Sequence, residues 1–333
     1  MKKLLFSLVL VFVGLALFFS LFSKIGLNAI KQSFVGIFSL KGFTIIFLGF
    51  FITFLGTLRW KNILKSKGYV IPLKDLFGHY LAGFAIAYLA PMAIFGREVF
   101  KGYILKGSNG ISYEKGMSAS FIDGIFEYIS EWIIVLLGLS FFFLRLGFFS
   151  TQPKIIFLTL FIFIGALLIF AFIAFRKKSI IKLFLDIDKQ NQGLIIEKEV
   201  FNFFELKNKT FHIAIIFSII KIFAKLAQYS LLLILLNESI SISTAFSVLG
   251  ISVLAMAPPI SADLGTHDWA SVILFDKLGM EPATGAAFAS IIRAVNLLIS
   301  FVGIIFLIKF GFESLKDSLF NKIERLFKVY ERK

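Results

Sequence analysis

The chain has 333 residues, 58% hydrophobic and only 17% charged, with 45 Phe and no Cys. A mean hydropathy of +0.91 excludes an ordinary soluble domain; several apolar runs reach bilayer length, which makes the chain an all-α polytopic membrane protein. Without Cys there are no disulfides or thiolate ligands, and His79, His212 and His267 lie far apart, so neither a metal nor a cofactor is expected. The net charge of +15 sits in short loops beside apolar spans. It fits the positive-inside rule and anionic lipid head groups, and nucleic acid is not expected as a partner.

The first apolar run, Leu4 to Phe22, follows a basic start and reads as an uncleaved span with its N-terminus inside. A second span, Phe43 to Leu58, ends in the basic cluster RWKNILKSKG. Then comes LAPMAIFGREVFKGY, where Pro91 and the charges Arg97, Glu98 and Lys101 interrupt an apolar segment.

Further spans are expected at Met117–Leu144, Ile155–Phe175, Phe211–Leu236 and Ala283–Ile308. A second broken segment, residues 247 to 275, lies between the last two and contains Pro258, Asp263, Gly265, His267 and Asp268. The architecture expected is therefore about six full spans plus two re-entrant or broken helical hairpins. If both hairpins return to the side they left, the basic loops and both termini fall inside. Residues 1–311 form one membrane domain. Residues 312–333, with Leu315, Leu319, Ile323, Leu326 and Phe327 on one helical face, form an amphipathic helix on the inner surface.

The two breaks share a register. GFAIAYLAP, from Gly83 to Pro91, aligns without gaps on GISVLAMAP, from Gly250 to Pro258. This predicts inverted halves, approximately 43–145 and 211–310, with the breaks facing each other across a midplane site. Proline frees a carbonyl that hydrocarbon penalises, so such breaks persist where protein, water or a polar ligand meets them.

Charges inside the spans point the same way. Asp123, Glu127 and Glu131 recur every four residues, about 6 Å apart along one helix face. A stripe of carboxylates cannot face lipid, so it faces an interior, with at least one acid protonated or the bases Arg97, Lys101, Lys221, Lys225 and Arg293 as counter-charges.

These residues resemble the lysylphosphatidylglycerol synthase transmembrane region, a flippase-like membrane family. The first break matches the family's Pro, Gly-Glu-x-x-Arg, Tyr-x-Leu pattern at Pro91, Glu98, Lys101, Tyr103 and Leu105, with SASFIDGIFE following. The second matches Pro-Gly-Gly-Leu-Gly-x-x-Glu at Pro258, Leu264, Gly265 and Asp268, and Arg293 falls where the family places an Arg in its last helix. Lys101 replaces the usual Arg, Phe121 stands where an Arg is common, and Ser261-Ala262-Asp263 interrupts the Gly run.

The resemblance implies a prokaryotic plasma-membrane protein that translocates a lipid. The cargo would be a phospholipid, aminoacylated phosphatidylglycerol among them, or a polyprenyl-phosphate-linked lipid. The head-group site would comprise Pro91, Arg97, Glu98, Lys101, Asp123, Glu127, Pro258, Asp263, Gly265, Asp268 and Arg293. Full-length relatives carry a soluble aminoacyltransferase domain, which is expected to be absent here, so a separate synthase or glycosyltransferase is a candidate partner. The alternative is the membrane part of a lipid aminoacyl or glycosyl transferase system, for which Asp263, His267 and Asp268 are the one compact candidate. No P-loop is present, so the chain is not itself an ATPase.

Overall fold

The computed structural model describes residues 39–89, 96–108, 111–146, 187–204, 209–258 and 260–330. The expected spans Leu4–Phe22 and Ile155–Phe175, and Pro91 itself, lie outside the described residues. Among those described there are nine α-helices and no strand: α1 Leu40–Ser66, α2 Leu73–Leu89, α3 Gly96–Ser108, α4 Tyr113–Arg145, α5 Ile187–Phe203, α6 Lys209–Leu235, α7 Ile242–Ala255, α8 Thr266–Lys277 and α9 Pro282–Tyr330. Four of these, α1, α4, α6 and the Pro282–Gly311 part of α9, are long and apolar enough to cross a membrane. The protein is thus an all-α polytopic membrane protein.

Serines set several helix starts. The side chains of Ser39, Ser112 and Ser241 accept hydrogen bonds from the backbone N–H of Gly42, Lys115 and Thr244, satisfying donors that a helix leaves open. Helix α1 stops at Ser66, and the chain turns away at Gly68, whose φ of +88° suits glycine. It extends beyond Leu58, where hydropathy alone ended the span, because Arg59, Trp60, Ile63 and Leu64 are buried against neighbouring helices. The last span likewise continues as one helix to Tyr330, so the segment expected to form a separate surface helix prolongs α9.

The packing has a two-fold logic. Helices α1 and α6 pack on each other. Helix α2 packs on α9 as α7 packs on α4, and α3 on α4 as α8 on α9. Exchanging α1–α4 with α6–α9 reproduces these packings, but α1 also packs on α4 without an equally close packing of α6 on α9. Glycines sit at both reciprocal crossings. A Cβ on Gly138 of α4 would lie 2.5 Å from Cα of Gly250 in α7. A Cβ on Gly303 of α9 would lie 2.2 Å from the Leu81 carbonyl oxygen and 2.9 Å from Ala85 Cβ in α2. Those two residues bracket Gly83, the sequence counterpart of Gly250. Small residues let these backbones approach, the usual way helices pack in lipid.

Candidate functional site

Helix α4 carries the acids, and its neighbours bring cations to them. Arg59 of α1 is completely enclosed. Its Nε donates to Asp123 Oδ1 at 2.7 Å, and its Nη2 to Glu127 Oε2 at 2.8 Å and to the Asp123 carbonyl at 3.1 Å. Its remaining arm donates to Ser218 Oγ of α6 at 2.9 Å. Lys101 of α3 donates to the other Asp123 oxygen at 2.6 Å, and Lys221 of α6 to both oxygens of Glu127 at 2.6 Å. The chain Lys101–Asp123–Arg59–Glu127–Lys221 thus ties four helices together. Here three cations meet two carboxylates, so cationic partners rather than protonation hold the stripe.

Around the first break the charges are more deeply enclosed than a head-group contact requires. Lys101 Nζ lies 4.3 Å from the ring centroids of both Trp60 and Tyr80, an aromatic cage that adds cation–π attraction. Glu98 is fully buried. One oxygen accepts from Arg97 Nε at 3.1 Å, while Oε2 has no hydrogen-bond partner among the described residues. Gly124 makes room for it, since a Cβ there would come 2.7 Å from Glu98 Cγ.

A cavity of about 650 Å³ opens between the two halves. Arg97, Glu127, Lys221, Asp263 and the partly buried pair Lys225–Glu131 (3.3 Å) line it, with Tyr80, Tyr88, Tyr128, Tyr229, Gln228 and Asn296. Its remaining wall is apolar, and Trp132 (46% exposed), Leu254 (38%) and Ile260 (39%) place exposed apolar surface on the same lining. The flanks of both breaks meet here. Tyr88 Oη donates to the Ala262 carbonyl at 3.3 Å, and Pro258 lies on the same wall.

The second break is held differently. A short 3₁₀ turn, Ser261–Asp263, joins α7 to α8, with Ala262 at φ +55° and Asp263 at φ +52°. Two successive left-handed non-glycine residues are strained, by roughly 1 kcal/mol each. Asp268 Oδ2 accepts from the N–H of Gly265 at 3.0 Å, capping α8, and is also ion-paired to Arg293 of α9. Arg293 Nε donates to the Ala262 carbonyl at 3.4 Å.

The expected site residues thus divide into three groups. Arg97, Glu127, Pro258 and Asp263 line one cavity; Glu98, Lys101 and Asp123 stand enclosed behind it; Gly265, Asp268 and Arg293 brace the second break from behind. His267 is 1% exposed, with its ring near Phe288, and like Asp268 it lies off the cavity wall that Asp263 lines. Hydropathy alone puts Arg59 in a basic loop, yet it stands at the centre of the network. The signal was its place on the buried stripe Ile45, Gly49, Ile52, Leu55, Arg59 and Ile63, spaced three or four residues apart.

The model of the family described as "Lysylphosphatidylglycerol synthase TM region" matches residues 4–303, most of the chain. No curated protein and no solved structure matches it significantly. The chain belongs to the lysylphosphatidylglycerol synthase TM-region family.

Proposed function

From that membership we propose that the protein translocates a lipid, holding an anionic phosphate head group in the cavity while the tails remain in the bilayer. The observation that supports this reading most is the surplus of positive charge in the buried network, which reaches the cavity through Lys221 beside Arg97 and Lys225. In a low-dielectric cavity cations at the wall make strong charge-assisted hydrogen bonds to a phosphate. The exposed apolar surface at Trp132, Leu254 and Ile260 suits acyl or prenyl tails. On this reading the two broken segments are re-entrant and inverted, and both termini lie on the cytoplasmic side of the plasma membrane.

The test is head-group accessibility of a fluorescent phosphatidylglycerol in proteoliposomes. Wild-type protein should equilibrate the label between leaflets well above protein-free vesicles. R97Q and K225Q, each confirmed folded by its melting curve, should slow this at least tenfold. Wild-type rates in both variants would remove the head-group assignment. A wild-type rate equal to that of empty vesicles would remove transport itself.

A further inference from the structure

We propose that the second break holds a monovalent inorganic cation, Na⁺ in the first instance, at Asp263. Three observations carry this. First, the Asp263 side chain lines the cavity, is only 9% exposed, and accepts no hydrogen bond from any described residue. A carboxylate so enclosed is costly to keep without a positive partner.

Second, the local charge is short by one. Asp263 and Asp268 both face Arg293, whose guanidinium is committed to Asp268 and the Ala262 carbonyl. The other acid within electrostatic reach, Glu131, already has Lys225. Within the cluster Asp263, Asp268 and Arg293, one acid is left without a direct cationic partner, and a monovalent cation would supply it. A divalent ion would want further carboxylates.

Third, the donors around Asp263 are hard oxygens. Tyr88 and Tyr229 are within electrostatic reach of it, and both line the cavity with Asn296. Helix α7 ends just before the break, presenting the negative end of its dipole and carbonyls that no further turn of helix can satisfy. Oxygen donors without sulfur or imidazole suit an alkali cation.

Asp263 also stands where its own backbone argues for glycine, at φ +52°. Aspartate tolerates this conformation better than most residues but still less well than glycine, so D263G removes the carboxylate without straining the turn. Bound there, Na⁺ would neutralise the second break and stabilise the cavity that receives the head group. That last role rests on the transport reading above; the binding itself does not.

The experiment measures ²²Na⁺ binding to the purified full chain in neutral detergent, at fixed pH, with choline chloride keeping ionic strength constant. Wild type should bind saturably, about one Na⁺ per chain. D263N and D263G should each lose at least tenfold in affinity. D263G is the decisive variant, because without Na⁺ it should melt at or above the wild-type temperature. Lost binding in a protein of undiminished stability cannot be attributed to misfolding.

Wild type that binds no Na⁺, or variants that bind as wild type does, would overturn the site. An aminophospholipid that stabilises wild type but not D263N, while Na⁺ stabilises neither, would reassign Asp263 to the head group and also overturn it. Because the assay requires no lipid movement, failure of translocation in vesicles leaves this result standing, and the reverse also holds.

Discussion

Replacing Arg59 by Met tests whether the buried ion network holds the helices together. The substitution keeps the length and apolar stem of the side chain while removing its charge and all four hydrogen bonds, to Asp123 Oδ1, the Asp123 carbonyl, Glu127 Oε2 and Ser218. Breaking a buried pair by deleting one partner typically costs about 3–5 kcal/mol, because the other charge is left uncompensated. Here each carboxylate keeps a second cation at 2.6 Å, Asp123 with Lys101 and Glu127 with Lys221, so the loss falls at the low end, about 3 kcal/mol. R59K should recover only part of it, since an ammonium cannot reproduce the fork that reaches two acids and a serine. The assay is reversible unfolding in mixed micelles by titration with a denaturing detergent, read by Trp fluorescence and by circular dichroism. If R59M unfolds within about 1 kcal/mol of wild type, the network is not structural, and the arrangement of α1, α4 and α6 needs another cause.

Three further outcomes follow from the geometry. G138L should separate α4 from α7 and lower the melting temperature by many degrees, because its first side-chain atom has no space against Gly250; a melt within two or three degrees of wild type would show that the crossing can open. A262G should stabilise by about 1 kcal/mol by relieving a left-handed alanine, measured by the same unfolding titration, and a destabilised variant would contradict the strain. Lys67, just beyond α1, is held below its usual value of 10.5 chiefly by burial, with Glu199 partly opposing. Its folded pKa therefore lies below its unfolded one, so stability should rise as pH climbs through the interval between them. K67M should flatten that alkaline rise, and an unchanged pH profile would show that Lys67 does not cause it.

The all-α membrane architecture is legible in the sequence because long apolar runs act locally. The acidic stripe is legible too, since spacing of four residues fixes a face whatever the neighbours are. Arg59 is not, because its meaning depends on Asp123, Glu127 and Ser218, residues 64 to 159 positions away. Composition places an arginine after an apolar run in a loop; only tertiary pairing makes it interior. The cage of Trp60 and Tyr80 around Lys101 is hidden for the same reason, as its rings come from different helices. The strain at Ala262 and Asp263 is half visible: the sequence shows that a glycine-rich pattern is interrupted, but not that the backbone keeps the left-handed form glycine favours.

The two broken segments differ in the charge they carry. Lys101 and Asp268 each stand ten residues after the proline of their own break. Each pairs with the long helix that follows, Lys101 with Asp123 on α4 and Asp268 with Arg293 on α9. The polarity is reversed between them. The pairs are also unequal in exposure, with both side chains of the first fully enclosed but Asp268 one-third exposed in the second. The more open pair lies beside the segment that places Asp263 on the cavity wall, so the cavity meets an acid there and the cation Arg97 on the helix that follows the first break.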